Sequence, residues 1–342
     1  MQQNRKYLIP VLLIAGLCTL TGCGKPEAGG GARKIKIGVS LPTQQEERWQ
    51  RDAQRMKEVA AELGVILKMQ ISDNDAAKQM AQCENLFAQG IDILILTPHD
   101  ATSAGSIVEK AHKIGLKVIA YDRIVMNCNL DIYISFDNQK VGELQGQYLT
   151  DRVKSGNYVV FGGAPTDNNA KLFRDGAMSK ITPLVSKGDV KIVMDQMITD
   201  WQPTVAMNLM QNALTANNNK IDAVLAPNDN TAGGIIQALA QVGLAGKVPV
   251  TGQDAEITAA RRIIEGTQTM TIFKDTRECA GVAINTAVQM VRGQTPNTTS
   301  KVNNNTLDVP SILLAPVVVD KSNLDQILIG GGYLRRDQVY KN

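Results

Sequence analysis

The chain has 342 residues and a mass of 37.0 kDa, a length typical of about two domains. Hydrophobic residues make up 44% and charged residues 20%, which excludes an intrinsically disordered chain. The net charge is +3; without Arg5 and Lys6 of the N-terminal segment, 34 basic residues face 33 acidic ones. A balance this close to neutral argues against a nucleic-acid partner, and two His residues are too few for a His-built metal or catalytic centre.

The first 22 residues are typical of a signal peptide. A basic start is followed by an apolar run from Tyr7 to Leu20, roughly 14 residues and therefore shorter than the ~20 that span a bilayer. The run ends in Leu20-Thr21-Gly22-Cys23, which resembles the lipobox of bacterial lipoproteins. That resemblance implies cleavage before Cys23 and lipid attachment to its thiol. An ordinary signal peptide with a chance Cys is the alternative.

A lipid-anchored, extracytoplasmic protein is therefore expected. Residues 1–22 would be the signal peptide, and residues 23–34 the lipidated Cys and a Gly-rich flexible tether. The remaining cysteines are far apart and form no C-x-x-C pattern, so neither a disulfide framework nor a zinc site is indicated. We expect buried thiols at Cys83, Cys128 and Cys279.

From Lys36 onward, short β-branched runs alternate with amphipathic stretches. Helices are predicted at Glu46–Leu63 and Ala76–Gln89, among others, and Gly64, Gly90 and Gly115 stand where helices should end. Alternation with nearly continuous apolar strands predicts parallel sheets covered by helices on both faces. The predicted strands are Ile35–Leu41, Val65–Ile71, Ile91–Thr97, Lys117–Tyr121 and Ile132–Phe136 in the first half, and Tyr158–Gly162, Lys191–Gln196, Ala223–Ala226, Val248–Gly252 and Met270–Phe273 in the second.

The two halves repeat one scheme. Residues 91–122 and 221–254 each contain Ile-Asp, a short strand, Pro-x-Asp, a helix, a Gly-rich stop, a second strand and a terminal Asp. A repeat of this length indicates a pair of domains and not a solenoid. The expected fold class is therefore α/β, with two similar doubly wound parallel-sheet domains of about 140 residues each.

Strand ends are where this fold places its ligands, because loops and helix N-termini meet there. Asp122 and Asp254 occupy equivalent strand ends, and the pair at 99–100 parallels the pair at 228–229. If the two faces oppose each other, both domains offer polar groups to one cleft. The alternative is that a strand-end Asp merely caps the next helix. We favour capping for the aspartates of the two pairs, but not for Asp122, because no helical pattern follows it.

The composition of these regions suits a neutral polyol such as a sugar. Its hydroxyls need carboxylates, amides and Arg as partners, and its C–H face needs an aromatic ring. The only two Trp of the chain, Trp49 and Trp201, lie in matching connecting regions of the two halves. Each alone could simply fill a domain surface, but their matching positions favour one shared site.

Six stretches are long and distinctive: residues 47–50 (ERWQ), 120–123 (AYDR), 133–138 (YISFDN), 167–174 (DNNAKLFR), 213–224 (ALTANNNKIDAV) and 266–271 (GTQTMT). In these, the chain resembles the D-xylose-binding branch of the type I periplasmic binding proteins, the sugar-capturing components of ABC importers. The resemblance extends from about Lys34 to Leu334. It implies capture of D-xylose, or a closely related monosaccharide, in a cleft between two hinged domains and delivery to an ABC permease.

Carried over residue by residue, the resemblance implies ten ligand-binding residues. The two Trp would stack on the pyranose ring and the other eight would hydrogen-bond the sugar. For Lys274, which lies at an expected crossing between the domains, a purely structural role is the alternative. The ten are Arg48, Trp49, Asp122 and Arg123 from the N-terminal domain, and Asp167, Asn169, Trp201, Asn228, Asp254 and Lys274 from the C-terminal domain.

The implied domains are discontinuous: residues 35–139 with 277–308, and residues 140–276 with 309–342. The chain would cross between them near residues 138–141, 274–277 and 307–310, and these three segments would act as hinges. Two features depart from the family pattern. The lipobox replaces an ordinary cleavable signal, and Pro42–Gln45 differs in a way that bears on the cleft rim and on the preference among pentoses.

Other functions fit less well. No G-x-S-x-G, P-loop, H-E-x-x-H or strand-following G-x-G-x-x-G motif occurs, so we expect no enzymatic activity, cofactor or metal. A sugar-responsive repressor would need an N-terminal DNA-binding headpiece, where this chain has the lipobox. Two membrane partners that would recognise the sugar-bound form remain as alternatives, an ABC permease and a sensor histidine kinase. The choice among xylose, other pentoses and glucose depends on placement that a sequence does not show.

Overall fold

The structure is a computed structural model that describes residues 33–340, so the expected signal peptide and Cys23 lie outside the described residues. The strands, in chain order, are β1 (Lys36–Leu41), β2 (Ile66–Ile71), β3 (Ile93–Leu96), β4 (Lys117–Tyr121), β5 (Ile132–Phe136), β6 (Gly156–Gly162), β7 (Val190–Met197), β8 (Ala223–Leu225), β9 (Met270–Phe273), β10 (Ser300–Asn303), β11 (Asp308–Leu314) and β12 (Val317–Asp320). The α-helices are α1 (Glu47–Glu62), α2 (Ala76–Ala88), α3 (Gly105–Lys113), α4 (Asn138–Arg152), α5 (Asn168–Lys187), α6 (Pro203–Ala216), α7 (Asp229–Gln241), α8 (Ile257–Glu265), α9 (Thr276–Val291) and α10 (Arg336–Val339).

Two sheets organise these elements. The first has the order β10-β11-β5-β4-β3-β1-β2 and is parallel except for the β10–β11 pair. In the second half, β7-β6-β8 is parallel and β12-β9 is antiparallel. The segment between β8 and β9 joins these two pieces through single bridges, from Val250 to Val224 and from Gln253 to Ile272. Both halves thus have the doubly wound 2-1-3-4-5 strand order, and the predicted fold class is confirmed.

The alternation of the sequence located most strands to within two residues. The predicted strand Val248–Gly252 is reduced to single bridges, although its backbone bonds the segments on both sides. Pro249 has no N–H to donate, which shortens the ladder. The Thr251 N–H donates to the Val224 carbonyl, and its hydroxyl adds two bonds, accepting from the N–H of Ala226 and donating to its carbonyl. The antiparallel β10–β11 hairpin was not among the predicted strands.

The third crossing between the domains is also misplaced in the sequence-based prediction. Strand β11 pairs in parallel with β5, so residues 309–314 belong to the first sheet and not to the second domain. The next strand, β12, pairs with β9 of the second half. The chain therefore leaves the first sheet after Leu314 and not near 307–310. The remaining domain limits stay a prediction.

The helix ends and the cysteines agree with expectation. Gly64, Gly90 and Gly115 follow helices with φ of 66°, 67° and 79°, the left-handed conformation that glycine adopts without strain. Three free thiols are buried, at Cys83, Cys128 and Cys279. Burial raises the pKa of the Cys83 and Cys128 thiols to about 11.

Apolar clusters cover both faces of the first sheet. One face packs β1, β3, β4 and β5 against α1 and α9, and the other packs against α2 and α3. Helix α9 follows the second crossing of the chain and returns to the first sheet, so this crossing is confined to the residues between β9 and α9. Between residues 33 and 340, no helix is long and apolar enough to cross a membrane.

A close helix pair supports the second domain. Helices α4 and α5 meet at Gly142, Gly146 and Gly176, where a Cβ on Gly142 would lie 1.9 Å from the carbonyl oxygen of Phe173. Backbone oxygens cannot move aside as a flexible side chain can. Residues Asn138 at the start of α4 and Asn169 in α5 are thereby held at the strand ends.

Gly142→Ala is expected to lower the free energy of unfolding by about 1–3 kcal/mol or more, because the added methyl group overpacks this contact. Gly281→Ala is the matched control, since Gly281 lies inside α9 with nothing within 4 Å of an added Cβ. The control should be neutral or stabilising by up to about 1 kcal/mol through helix propensity. Urea unfolding of both variants measures the difference, and equal stabilities would contradict the account.

An acidic cluster lies buried behind the strand ends of the second domain. Burial raises the pKa of the Glu256 carboxyl to about 8, and Asp229, Asp254 and Glu47 add to the shift while Arg262 opposes it. Burial raises the pKa of Asp229 to about 7. Folding therefore keeps protons on these carboxyls that the unfolded chain would release, and stability falls as the pH rises from about 4.5 towards 8.

Glu256→Gln should flatten this fall, because an amide cannot ionise. Between pH 5 and pH 8 the variant should lose less unfolding free energy than the unmodified protein, by more than about 1 kcal/mol, since one pKa unit is about 1.4 kcal/mol. Chemical denaturation at several pH values measures this. The exposed Glu62→Gln on α1 is the control and should keep the original profile. An unchanged profile for Glu256→Gln would refute the assignment.

Candidate functional site

One cleft lies between the carboxyl ends of the two sets of strands. All ten residues implied by the sequence line it. Three further residues, Glu46, Phe173 and Gln253, complete its wall. The structure therefore brings together every predicted site residue, from elements that are up to 226 positions apart, Arg48 to Lys274.

The first-domain wall is built by the loop after β1 and the end of β4. Arg48 and Trp49 lie in the first turn of α1. Asp122 directly follows β4 with φ of 60°, a left-handed conformation that Asp tolerates better than most residues. Its backbone is tied down, because its N–H donates to Ile134 and its carbonyl accepts from the Tyr133 hydroxyl at 2.7 Å. The carboxylate of Asp122 is thus held in a fixed direction.

The second-domain wall uses helix N-termini. Asp167 caps α5, accepting from the N–H of Asn169 at 2.9 Å. Asn228 caps α7 in a capping box with Thr231. Because each cap fixes one side-chain atom, the rest of each polar group is positioned at the cleft with little rotational freedom.

Asp254 and Lys274 complete this wall. Asp254 has φ of 96°, and its carboxylate lies 2.9 Å from the Lys274 ammonium. Lys274 follows β9 at the second crossing between the domains. A structural role and a ligand-binding role are compatible for this residue, because it lines the cleft and pairs with Asp254 at the same time.

The charges of the cleft are balanced in pairs. Arg48 lies 2.7 Å from Asp122, and Arg123 lies 2.9 Å from Asp167 in the other domain. Arg48 also reaches Asp254 across the cleft at 3.5 Å. Each of these side chains is at most 5% exposed. A charge that is buried without a partner is costly, so this pairing is a condition for the cleft to exist.

The ionisation states follow from these pairs. Burial alone would raise the pKa of Asp122, but Arg48, Lys274 and Arg123 hold it below its usual value. For Asp167, burial outweighs the nearby Arg123 and its pKa is raised. Arg48 is desolvated, yet the carboxylates around it keep its pKa well above the usual value.

A second carboxylate supports Arg48 from behind. Asp52 is fully buried, accepts from Arg48 Nε at 3.3 Å and accepts a short hydrogen bond from the Tyr121 hydroxyl. Burial raises the pKa of Asp52 to about 6, against the effect of Arg48. Arg48 is therefore held from two sides, which leaves it a fixed donor towards the cleft.

Both Trp side chains are buried in the cleft wall, with 2% and 5% exposure for Trp49 and Trp201. The guanidinium of Arg48 lies 4.4 Å from the centroid of the Trp49 ring. Trp201 fits against Gly163, where a Cβ would come within 2.0 Å of its ring. Within residues 33–340, neither indole Nε1 has a hydrogen-bond partner. Both rings thus offer an apolar face and one donor to a ligand.

Three residues of the cleft wall were not among those predicted from the sequence. Phe173 follows Asn169 by four positions on α5, so helical spacing could have identified it. Gln253 directly precedes Asp254, and its Nε2 donates to the Pro227 carbonyl at 2.8 Å. Glu46 is the residue before α1, and no pattern in the sequence separated it from its neighbour Glu47.

The two strand-end aspartates assigned to capping differ from each other. Asp100 accepts from the N–H groups of Thr102 and Ser103 and so caps the turn that precedes α3, whereas the N-cap position of α3 itself is Ala104. For Asp229 the capping prediction is wrong. Asn228 is the cap, while the buried Asp229 carboxylate accepts from Gln268 and Thr271.

The cleft is closed in this structure. At its rim the side-chain amides of Gln45 and Gln202 exchange two hydrogen bonds of 3.0 Å. Nearby, Glu47 accepts from the N–H of Ile257 at 3.0 Å. Gln45 belongs to the stretch, residues 42–45, that departs from the family pattern. This stretch therefore lies at the rim where the two walls meet.

Known proteins share this architecture. A family model described as a periplasmic binding protein domain matches residues 37–295. The chain is 44% identical over 308 residues to the D-xylose-binding periplasmic protein of Escherichia coli (strain K12), covering 90% of this chain and 93% of that protein. It is 39% identical over 329 residues to the multiple sugar-binding periplasmic receptor ChvE of Rhizobium radiobacter, with the same coverage of 90% and 93%.

A solved structure agrees. The carbohydrate transporter solute binding protein of Chloroflexus aurantiacus, in complex with D-glucose, has a TM-score of 0.84 and 34% identity, covering 90% of this chain and 98% of that chain. The homologues are solute-binding proteins, which are not enzymes, so the expectation of a non-enzymatic protein is confirmed. The resemblance inferred from the six sequence stretches is confirmed as well, and the chain belongs to the periplasmic binding protein family.

Proposed function

We propose that this protein captures D-xylose in its interdomain cleft and delivers it to an ABC importer. The observation that carries the proposal is the convergence of all ten implied ligand residues, from both domains, on one buried cleft. The relatives support it, since a D-xylose-binding protein is among those that match nearly the whole chain.

The chemistry of the wall suits a neutral sugar. Three cationic side chains are already matched by three carboxylates, so an ionic ligand would meet no unpaired opposite charge among them. Sugar hydroxyls both donate and accept, and can therefore bridge such pairs without adding charge. The Trp rings supply the apolar surface that the C–H face of a pyranose requires.

Capture follows from closure. Sugar bound to one wall completes its hydrogen bonds only when the other wall reaches it, so the ligand favours the closed form through differential contacts. Micromolar affinity would correspond to about −8 kcal/mol, modest for so many polar contacts because each group first loses water. The closed form would then be recognised by the permease.

Trp201→Ala is expected to weaken D-xylose binding at least about 100-fold, because it removes the ring that covers the apolar face of the sugar. Trp201→Phe keeps a ring and should retain part of the affinity. Calorimetry measures binding, and circular dichroism confirms folding. If a folded Trp201→Ala variant bound D-xylose with nearly the original affinity, the proposed stacking of Trp201 on the sugar would be refuted.

A thermal-shift screen of pentoses and hexoses tests the ligand itself. We expect D-xylose to raise the melting temperature more than ribose or galactose, since binding to the folded state alone stabilises it. A far larger shift with ribose or galactose would overturn the xylose assignment.

We also propose that Cys23 carries a lipid that anchors the protein to the outer face of a membrane. The support is the sequence Leu20-Thr21-Gly22-Cys23 after a short apolar run. Cys23→Ala should move the protein from the membrane fraction to the soluble fraction and abolish incorporation of labelled fatty acid. Cys18→Ala, inside the apolar run, is the control and should change neither; membrane retention of Cys23→Ala would refute the anchor.

A further inference from the structure

Helix α8 of the second domain begins without a side-chain cap of its own. Its N-cap residue, Glu256, makes no capping hydrogen bond within residues 33–340. The first helical residue, Ile257, instead donates its N–H to the Glu47 carboxylate at 3.0 Å. Glu47 is the first residue of α1 and lies 210 positions away in the sequence. A carboxylate at a helix N-terminus satisfies an N–H that has no partner within the helix, and it lies at the positive end of the helix dipole. Glu47 therefore caps α8 from outside.

The two helices lie on opposite sides of the cleft. Helix α1 packs on the first sheet through Ala53 and Met56. Helix α8 packs in the second half with β9 and β12, through Ile263. Neither Glu47 nor Ile257 lines the cleft. The contact between the Glu47 carboxylate and the N–H of Ile257, which we call the interdomain cap, thus joins the two domains beside the cleft. It is lost when they move apart.

Arg51, one turn further along α1, holds this carboxylate in place. Its Nε donates to Glu47 Oε1 at 2.9 Å, while Glu47 Oε2 accepts from Ile257. The same guanidinium donates to the Tyr333 carbonyl at 3.2 Å and lies 4.7 Å from the centroid of the Tyr333 ring. Tyr333 is buried against Phe273 of β9, with the ring centroids 4.7 Å apart. Arg51 therefore adds a second contact to the same packed part of the second domain.

The surroundings allow the interdomain cap to contribute to closure. The side chains of Glu47 and Arg51 are 26% and 25% exposed, so water and salt screen them less than an ion pair on an open surface. At the start of α8, burial raises the pKa of the Glu256 carboxyl to about 8, which leaves it largely neutral at pH 7. The closed form thus gains the interdomain cap without bringing Glu47 against a second charged carboxylate at this helix end.

We propose that Glu47 is a positioning residue that sets the sugar affinity without touching the sugar, because its cap on α8 stabilises the closed form. This inference rests on the proposed sugar-binding function and extends it to the balance between the open and closed forms. The apparent affinity of a ligand falls with the fraction of protein that is in the binding-competent form. Loss of the interdomain cap lowers that fraction and weakens the binding of every sugar by the same factor.

Glu47→Ala should weaken D-xylose binding about tenfold in calorimetry, the loss expected for one partly shielded hydrogen bond to a charged group. Stopped-flow fluorescence should show this loss in a faster dissociation rate, since the cap forms only when the walls close. Glu47→Gln keeps an acceptor without the charge and should restore part of the affinity.

Glu58→Ala is the matched control. This exposed carboxylate lies on the same helix, but it bonds Gln54 and Arg55 of α1 itself. Its removal should therefore leave the D-xylose affinity unchanged to within about twofold, as for an ordinary surface substitution.

A measurement without ligand separates closure from sugar binding. Gln45 and Gln202 meet across the rim, so cysteines introduced there by Gln45→Cys and Gln202→Cys come together only in the closed form. The three free thiols of residues 33–340 are buried, and Gln202→Cys alone gives the background. The rate at which a short bismaleimide cross-links the pair then reports the closed fraction. Adding Glu47→Ala should slow this rate about tenfold, the same factor as for the affinity, whereas adding Glu58→Ala should not change it.

Each outcome decides the role of Glu47. Equal losses of affinity and of cross-linking rate support it. A folded Glu47→Ala variant that binds D-xylose as the unmodified protein does, or that leaves the cross-linking rate unchanged, refutes it. A lower free energy of unfolding with unchanged affinity would show a purely structural role and would also overturn the inference. If the unmodified protein binds no neutral monosaccharide, the proposed function fails, and the cross-linking rates still decide whether Glu47 favours closure.

Discussion

The cleft depends on the pairing of buried charges. Removing an ion from water costs several kcal/mol, and only a close opposite charge with further hydrogen bonds offsets this cost. Of the six paired groups, Arg48, Arg123 and Asp122 come from the first domain, which leaves that wall one positive charge in excess. The other three leave the second wall one negative charge in excess, and the pairs Arg123–Asp167 and Arg48–Asp254 cross the cleft. The two ion pairs that cross the cleft therefore favour closure of one wall on the other, and the six paired groups carry no net charge.

The same backbone device occurs in both domains. Asp122 directly follows β4, and Asp254 follows the segment that bridges β8 and β9. The backbone of both residues is left-handed, with φ of 60° and 96°. Such conformations are strained for residues other than glycine and persist only where the surroundings enforce them. Here the carbonyl of Asp122 is held by three donors, including Asn169 from the other domain at 2.9 Å. The strain and its compensation therefore lie at the point where the domains meet.

Periodicity predicted the framework well, because buried parallel strands and amphipathic helices have distinct patterns. It overestimated the regularity of residues 248–252, which pair with their neighbours through single bridges only. It also failed at β11, a partly exposed strand containing Pro310, whose membership in the first sheet depends on pairing with the distant β5. Long-range pairing of this kind leaves little local signal.

The ten candidate site residues were predictable because they match residues of the family that the chain resembles. That resemblance does not show in which direction each side chain points. Glu46 is the extended residue before α1 and Glu47 is the first residue of the helix. Only the structure shows that Glu46 lines the cleft while Glu47 accepts from the N–H of Ile257. Asp229 is similar, since a strand-end carboxylate next to a capping Asn can face inward as easily as outward.

Calorimetric titration with D-xylose and D-xylonate, at low and high salt, tests the central claim that a charge-balanced cleft holds a neutral sugar. The two ligands share most of their hydroxyls, but only xylonate is an anion, and it cannot close into a pyranose ring. We expect one-to-one binding of D-xylose with an affinity that hardly changes with salt, because no net charge is neutralised. Preferential, salt-sensitive binding of D-xylonate would contradict it.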